Sequence, residues 1–367
     1  DLAGQTKVRI DARNNRITFT YLATGWLQSA ENELGFRTTN SYDAVGNVRT
    51  VLDANNWLKT YTYDDLYRNT QIQYGDGTRV TFGYDPVGNR TTMQDETGTT
   101  TYSYSARNET IRTALPGGYV ITYEYDALLN RKLMVDPDGG RHTYAYGANE
   151  RLVSQTNPSN RVYTLLYDLD GRNTTMQTAF GGTRVMGYDG LNRITTQVEY
   201  NLSMVPNTTL VEAYDADGRK ISMTRNGAVT RWTYDAANRL VSQIQSGARA
   251  TFAYDPGGNI TLTHREGNNP ITMTYDAANR LTTTQDGATR VTFSYDDNGN
   301  LTQENRGGLV TGYAYNRENR LKTTTAPDTT VTTATYDGVG LRRVFKTSSS
   351  TTTTIWDGGE YLGEVSA

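Results

Sequence analysis

Three short acidic motifs are the first candidates in this chain for binding a metal ion. They are Asp136-Pro-Asp138-Gly139, Asp168-Leu-Asp170-Gly171 and Asp215-Ala-Asp217-Gly218, and each looks like the start of a calcium-binding loop. An EF-hand loop also needs further oxygen ligands and a Glu at its twelfth position. Counted from Asp168 and Asp215, that position holds Ala179 and Asn226. The motifs therefore favour turn residues over a calcium site.

The chain has few residues of the types that most catalytic and metal sites use. The chain has no Cys, which excludes thiol catalysis, disulfides and Cys-based zinc sites. Its two histidines, His142 and His264, lie far apart in ordinary sequence, so we expect surface strand positions rather than a catalytic triad. A glycosidase-like pair of carboxylates stays open, because Asp recurs everywhere, but a periodic Asp indicates a periodic structural role. We predict a non-enzymatic protein with no catalytic residue, no metal and no cofactor.

Composition and charge exclude several classes of protein. The formal net charge is −3 and the isoelectric point is about 5.6, whereas a nucleic-acid binder normally carries a basic surface. No apolar run is long enough for a transmembrane helix. The first residues, Asp-Leu-Ala-Gly, do not resemble a signal peptide, so we expect none in this segment.

A tyrosine repeat dominates the sequence. The steps between successive repeat tyrosines are 20 or 21 residues, apart from one step of 26 that predicts a loop insertion near residues 200–208. Trp356 continues the series, which gives about 17 repeats and predicts a single repeat domain over residues 1–367. The repeat tyrosines are Tyr21, Tyr42, Tyr63, Tyr84, Tyr104, Tyr125, Tyr146, Tyr167, Tyr188, Tyr214, Tyr234, Tyr254, Tyr275, Tyr295, Tyr315 and Tyr336.

The fourth residue after each repeat tyrosine indicates a turn. It is Gly or Asn in all repeats except those with Tyr67, Leu129 and Glu150. Gly and Asn are the residues that adopt positive φ at the lowest cost, so we expect a left-handed residue at this position. The Asp that usually follows the tyrosine is expected to accept backbone N–H groups of the same turn.

The residues on either side of this turn predict strands. Val80, Phe82 and Tyr84 alternate with polar or small residues, and Arg280 to Gln285 reads as a second strand closed by a turn at Gly287. The Gly pairs at 117–118, 139–140 and 181–182 predict further hairpin turns. Large aliphatic residues are too few to fill a thick core, so we expect an all-β fold in which a single curved sheet surrounds a polar or hydrated interior.

Three heptads carry a family resemblance. Tyr84-Asp-Pro-Val-Gly-Asn-Arg90, Tyr234-Asp-Ala-Ala-Asn-Arg-Leu240 and Tyr254-Asp-Pro-Gly-Gly-Asn-Ile260 resemble the YD repeat of the Rhs, teneurin and insecticidal toxin-complex families. The resemblance implies antiparallel hairpins that spiral into a hollow β-shell. Bacterial members continue into a core-associated cleavage region, which we do not expect in this segment.

The resemblance also implies a function. It predicts a structural shell or shell segment that encloses or presents a toxin, effector or partner domain, in an extracellular or cell-surface setting. The expected partners are plug, effector or adhesion domains of the same polypeptide, with no nucleic acid and no membrane insertion by this segment. The alternative is an extracellular adhesion or carbohydrate-binding array, in which tyrosines would line a groove for glycans.

The predicted structural positions are the Tyr, the Asp and, in most cases, the Gly or Asn of eleven repeats. They are Tyr42, Asp43, Gly46, Tyr84, Asp85, Gly88, Tyr125, Asp126, Tyr167, Asp168, Gly171, Tyr188, Asp189, Asn192, Tyr214, Asp215, Gly218, Tyr234, Asp235, Asn238, Tyr254, Asp255, Gly258, Tyr275, Asp276, Asn279, Tyr295, Asp296, Gly299, Tyr336, Asp337 and Gly340.

Overall fold

One antiparallel sheet accounts for the whole architecture. The computed structural model describes residues 4–178 and 180–366, and these residues form 35 strands and no helix. No helix that could cross a bilayer occurs among them. The strands are β1 Val8–Ile10, β2 Arg16–Tyr21, β3 Leu27–Glu31, β4 Arg37–Tyr42, β5 Val48–Leu52, β6 Leu58–Tyr63, β7 Asn69–Tyr74, β8 Arg79–Tyr84, β9 Arg90–Asp95, β10 Gly98–Tyr104, β11 Thr110–Ala114, β12 Val120–Tyr125, β13 Arg131–Val135, β14 Arg141–Tyr146, β15 Leu152–Thr156, β16 Val162–Tyr167, β17 Asn173–Gln177, β18 Thr183–Tyr188, β19 Ile194–Tyr200, β20 Pro206–Tyr214, β21 Lys220–Arg225, β22 Ala228–Tyr234, β23 Leu240–Gln245, β24 Ala248–Tyr254, β25 Ile260–Arg265, β26 Ile271–Tyr275, β27 Leu281–Asp286, β28 Thr289–Tyr295, β29 Leu301–Arg306, β30 Leu309–Tyr315, β31 Leu321–Thr325, β32 Val331–Tyr336, β33 Arg342–Lys346, β34 Thr351–Asp357 and β35 Glu360–Ser366.

Each strand pairs with the next strand in the chain, so the sheet is a continuous meander. The turn after every even-numbered strand follows a repeat tyrosine or Trp356, and we call it a YD turn. The turn after every odd-numbered strand is called a link turn. Because strands alternate in direction, YD turns lie along one rim of the sheet and link turns along the other. The predicted all-β fold built from hairpin repeats is therefore confirmed.

Alternating side chains stabilise the strands as the sequence predicted. In β28, Val291 is buried and lies on the same face as Phe293 and Tyr295. On the other face, threonines of adjacent strands contact one another, and the hydroxyl oxygens of Thr274 and Thr283 are 2.6 Å apart. Such cross-strand pairs contribute roughly 0.2–1 kcal/mol each.

A β-bulge accompanies every repeat tyrosine. In β26, Thr274 pairs with Thr283 while Tyr275 pairs with Leu281, so the partner strand carries one extra residue between them. Trp356 marks the same irregularity at the last YD turn. A bulge bends its strand and increases the local twist. Because all of these bulges lie at the YD rim, the tyrosine repeat adds curvature to the sheet at regular intervals.

The curved sheet returns onto itself. Link turns of the early strands contact YD turns of much later strands: β1–β2 meets β24–β25 through Arg13 and Asp255, and β5–β6 meets β28–β29 through Asn55 and Asp296. The link turns β7–β8 and β9–β10 meet the YD turns β30–β31 and β32–β33 in the same way. Each pair is 23 strands apart. An odd number is required, because only an odd offset places a YD turn against a link turn.

The sheet is therefore a spiral of about one and a half circuits. We call the contact line between successive circuits the seam. The two clusters of buried apolar side chains lie at this seam, around Ile121 and Ile355 in one cluster and around Val80 and Met93 in the other. Elsewhere most residues of the strands are partly exposed to water rather than fully buried. The scarcity of large aliphatic residues is thus matched by a single layer that has a compact core only where circuits overlap.

The insertion predicted near residues 200–208 differs from the expected loop. The turn itself is short, closed by the hydrogen bond from the N–H of Met204 to the carbonyl of Asn201. The extra residues instead lengthen the hairpin, because β20 has nine residues. Lengthened strands keep their backbone groups paired, whereas a loop of the same length would leave them to water.

Candidate functional site at the repeat turns and the seam

The fourth position of the YD turns is left-handed throughout the series. All of the predicted glycines and asparagines there have positive φ, for example Gly258 at 90° and Asn279 at 60°. The three exceptions in the sequence adopt the same backbone: φ is 60° at Tyr67, 70° at Leu129 and 56° at Glu150. A left-handed backbone costs a side-chain-bearing residue roughly 1–2 kcal/mol. The turn geometry is therefore imposed by the repeat, and these three residues are strained.

The aspartate that opens most YD turns holds the turn together. Oδ1 of Asp43 accepts the backbone N–H groups of Val45, Gly46 and Asn47 at 2.9–3.0 Å, and Oδ2 accepts the side-chain amide of Asn47 at 2.8 Å. The same pattern, with small variations, occurs at Asp64, Asp85, Asp126, Asp168, Asp189, Asp215, Asp235, Asp255, Asp276, Asp296 and Asp337. These carboxylates are occupied by their own turns.

The residue after the left-handed position joins one YD turn to the next. Arg172 donates from Nε to Asp168 Oδ2 at 2.7 Å and from Nη1 to Asn192 Oδ1 at 2.9 Å. Its guanidinium carbon lies 5.3 Å from the ring centre of Tyr188. In other repeats an asparagine at this position bridges in the same way, as Asn259 does to Asp255 and Asn279. Sequence reasoning assigned no role to this position, although its recurrence as Arg or Asn was a visible signal.

The hydroxyl of most repeat tyrosines reaches back to the preceding hairpin. Tyr275 donates to the carbonyl of Ile260 at 2.9 Å, and Tyr188 donates to that of Asn173 at 2.6 Å. The acceptor is the first residue of the strand that follows the previous YD turn, next to the bulge. Trp356 uses its indole N–H for the same contact with Arg342. The same donation occurs from Tyr42, Tyr84, Tyr125, Tyr167, Tyr214, Tyr234, Tyr254, Tyr295 and Tyr336.

These contacts set the acidity of the turn carboxylates. The N–H of Arg193 lowers the pKa of Asp189, partial desolvation opposes that effect, and the Arg193 guanidinium lowers the pKa further. Asp337 is the exception, because burial at the seam raises its pKa. At Asp64, Asp189 and Asp235 the lowered pKa thus favours the ionised carboxylate as the partner of N–H groups and a guanidinium group.

The seam has its own polar contacts, which the sequence did not reveal. Glu318 accepts a hydrogen bond from the Tyr74 hydroxyl at 2.7 Å and forms an ion pair with Lys59 at 2.9 Å. Asp95 Oδ2 accepts the backbone N–H of Gly338 at 2.6 Å. A Cβ added at Gly338 would lie 2.5 Å from Val80 Cγ1, so the close approach of the two circuits requires glycine there.

The aspartates of the acidic motifs, which were candidates for metal binding, are paired with arginine. Asp168 and Asp170 both contact Arg172, and no group of three or more His, Cys, Asp or Glu side chains arranged for a metal ion occurs within residues 4–178 and 180–366. Ala179, the twelfth position of one motif, lies outside the described residues. His264 is exposed as expected.

The expectation for His142 was wrong. Its side chain is only 16% exposed, and Nε2 lies 3.3 Å from Asp136 Oδ2. His142 pairs across the sheet with Met134, which is buried, so neighbouring strands cover the ring. Sequence alternation alone does not show which strand positions the neighbouring strands shield from water.

Comparisons with known proteins agree with this geometry. The teneurin YD-shell family profile matches residues 261–366, and the RHS repeat profile matches residues 214–250. A search of curated proteins found no match to the chain.

Solved structures match over nearly the full chain. A crystal structure of TcdB2-TccC3-TEV superposes with a TM-score of 0.79 at 16% identity, covering 96% of this chain and 21% of that one. A TcdB2-TccC3 crystal structure gives 0.61 at 14% identity, covering 96% and 26%. The Tc holotoxin pore of Photorhabdus luminescens gives 0.52 at 13% identity, covering 97% and 27%. The chain thus spans about a fifth to a quarter of the length of these chains, and at such identities the likeness establishes the fold alone.

The sequence resemblance and the fold lead to the same group of proteins. The repeated Tyr-Asp hairpins, the matched profiles and the superposed toxin-complex structures together confirm that this chain resembles the YD-repeat proteins of the Rhs, teneurin and insecticidal toxin-complex families, and that it has their β-shell fold.

Proposed function

We propose that this chain is a non-enzymatic scaffold, a YD-repeat shell segment that encloses or presents a toxin, effector or partner domain. The observation that carries the proposal is the seam, because a sheet that meets itself after 23 strands becomes a wall around a space. The fold shared with toxin-complex chains supports it. We further propose that residues 1–367 act as one repeat domain and that the Tyr, Asp and Gly or Asn repeat positions are its structural determinants.

The dimensions of the circuit indicate what the wall could hold. Strands lie about 4.8 Å apart, so 23 strands give a perimeter of about 110 Å and a diameter of about 35 Å. Side chains on the inner face occupy about 5 Å of each wall, which leaves roughly 25 Å of free width. A folded 100-residue domain has a radius of gyration of about 13 Å and is wider than that. We therefore infer that this segment surrounds an unfolded or partly folded chain, or one layer of a larger cargo.

The recurring polar groups support a structural role over turnover. The repeat aspartates, arginines and tyrosine hydroxyls bond to one another or to the backbone in repeat after repeat, which is what a scaffold requires. The unpaired edges of β1 and β35 favour partners from the same polypeptide, such as plug or effector domains, because an exposed strand edge is an aggregation hazard. An extracellular or cell-surface location is part of the proposal and rests on the family resemblance.

Solution scattering tests the shell directly. We expect a pair-distance distribution of a hollow particle about 45 Å in outer width, estimated from the perimeter above. A profile of an extended ribbon or solid rod would overturn the proposal.

A matched pair of variants tests the seam on which the shell depends. Gly338→Leu places a side chain against Val80 and should open the spiral, which increases the largest dimension. Gly190 occupies the same place in its own YD turn, and an added Cβ there meets nothing within 4 Å. Gly190→Leu should therefore leave the profile unchanged. Equal profiles for both variants would count against the seam.

A further inference from the structure

A cavity of about 570 Å³ lies at the seam, between the first circuit and the end of the second. One wall is formed by side chains of β10 to β13, including Tyr102, Tyr104 and Tyr123. The other wall comes from the YD turns and strands around Arg343 and Trp356. Its volume falls within the range of small-molecule sites, and its aromatic lining with a few convergent polar groups is typical of them.

Arg343 is the unusual residue in this cavity. It is 3% exposed, and its buried Nε has no hydrogen-bond partner among the described residues. The Nε of Arg90, in the opposite wall, is also buried without a partner. A buried guanidinium with unmet donors costs free energy, because its donors have lost water and gained nothing in exchange. Burial accordingly lowers the pKa of Arg343, and Asp337 and Asp95 offset that effect only in part.

The two carboxylates in the cavity wall are committed elsewhere. Asp357 accepts a hydrogen bond from the Tyr123 hydroxyl at 2.8 Å and pairs with Arg131 at 2.5 Å. Asp337 accepts the backbone N–H groups of Val339 and Leu341 in its own turn. The lining therefore carries three arginines against two aspartates and has an excess positive charge.

We propose that this cavity is a binding site for a carboxylated sugar, with the ligand carboxylate on the guanidinium of Arg343. A guanidinium presents a planar fork of donors that matches a carboxylate. The rings of Tyr102 and Tyr104 offer apolar faces for a sugar ring, while their edges and hydroxyls suit a partly hydrated ligand. This site lies at the end of the seam, and its recognition of a ligand carboxylate does not depend on the proposed shell function.

Calorimetric titration with an acidic disaccharide tests the site. The probe is digalacturonate, and the control ligand is the neutral galactose disaccharide of the same size. We expect digalacturonate to bind in a salt-sensitive manner and the neutral sugar to bind at least tenfold more weakly. Equal affinity for both sugars, or no binding of digalacturonate at millimolar concentration, would overturn the proposal.

Variants of neighbouring arginines locate the binding. Arg343→Gln should weaken digalacturonate binding at least tenfold, and Arg343→Lys should give an intermediate loss because it keeps the charge without the fork. Arg342→Gln is the matched control, since adjacent strand residues point to opposite faces of the sheet. Unfolding curves show which variants fold. If Arg343→Gln does not fold, the affinity of Arg343→Lys is the test of the assignment. Unchanged affinity in a folded Arg343 variant, or an equal loss in Arg342→Gln, would refute the assignment.

Discussion

Amide hydrogen exchange at Gly338 can show whether the spiral closes in solution. The N–H of Gly338 donates to Asp95 Oδ2, which lies 243 residues away in the sequence, so its protection reports a contact between circuits. Asp95→Asn keeps the size of the side chain, but it leaves a single oxygen to accept the hydrogen bonds that two oxygens accept in the native protein. Oδ1 of Asp95 already accepts the N–H and hydroxyl of Thr97, and the amide that replaces Oδ2 cannot accept a bond from Gly338.

The expected size of the effect follows from the lost bond. A hydrogen bond to a charged group contributes about 1.5–3 kcal/mol. Since about 1.4 kcal/mol corresponds to a factor of ten, exchange at Gly338 should accelerate roughly 10- to 100-fold through local opening of the seam. Exchange monitored by mass spectrometry on a peptide that spans Gly338, or by NMR, measures this acceleration without assuming two-state unfolding.

Two controls separate the seam from general loosening. The N–H of Gly171 bonds within its own turn on the free rim, so its exchange should not change. Asp286 ends β27 as Asp95 ends β9, but it lies at an exposed link turn, so Asp286→Asn should leave Gly338 protected. The reasoning fails if Gly338 exchanges at the same rate in both proteins, or if Gly171 accelerates equally.

Three further outcomes are expected. Leu129→Gly should raise the free energy of unfolding in urea by about 1 kcal/mol, and Gly258→Ala should lower it by a similar amount, because φ is positive at both positions; opposite signs would contradict the strain argument. Tyr275→Phe should cost about 1 kcal/mol in thermal unfolding by stranding the Ile260 carbonyl, whereas the exposed Tyr361→Phe should be neutral. Asp64, Asp189 and Asp235 have a lowered pKa in the folded protein, so their stabilisation is complete above about pH 4 and is lost as the pH falls through the folded values. The urea midpoint should therefore drop between pH 6 and pH 2.5, and a flat profile would be inconsistent with this prediction.

The local structure was predictable because each repeat specifies itself. Alternation around Tyr84 fixes a strand, and Gly88 fixes the left-handed turn residue, and neither depends on distant parts of the chain. The strained backbone at Leu129 shows that the residue type alone does not always predict the turn. There the pairing of the flanking strands overrides the preference of the residue, so the repeat context predicts the geometry better than the residue type does.

The contacts at the candidate sites are of two kinds, those within one repeat and those between circuits. The Asp turn contacts follow from residues four positions apart, and sequence reasoning anticipated them. No periodic pattern in the sequence indicates the contact of Glu318 with Tyr74 or the burial of Arg343. Both arise where one circuit packs against another. The partial burial of His142 was also missed, because alternation along one strand does not show how far neighbouring strands cover a side chain.

The residues of a single repeat are enough to predict a ribbon of paired hairpins with a tyrosine, an aspartate and a left-handed residue at regular steps. Those features arise from interactions over about 20 residues, which a repeat displays in every copy. The complete fold was needed to show that 23 strands form one circuit, which turns meet at the seam and where a cavity remains. Circuit size depends on small increments of twist and bulge accumulated over the sheet, and no single repeat encodes their sum.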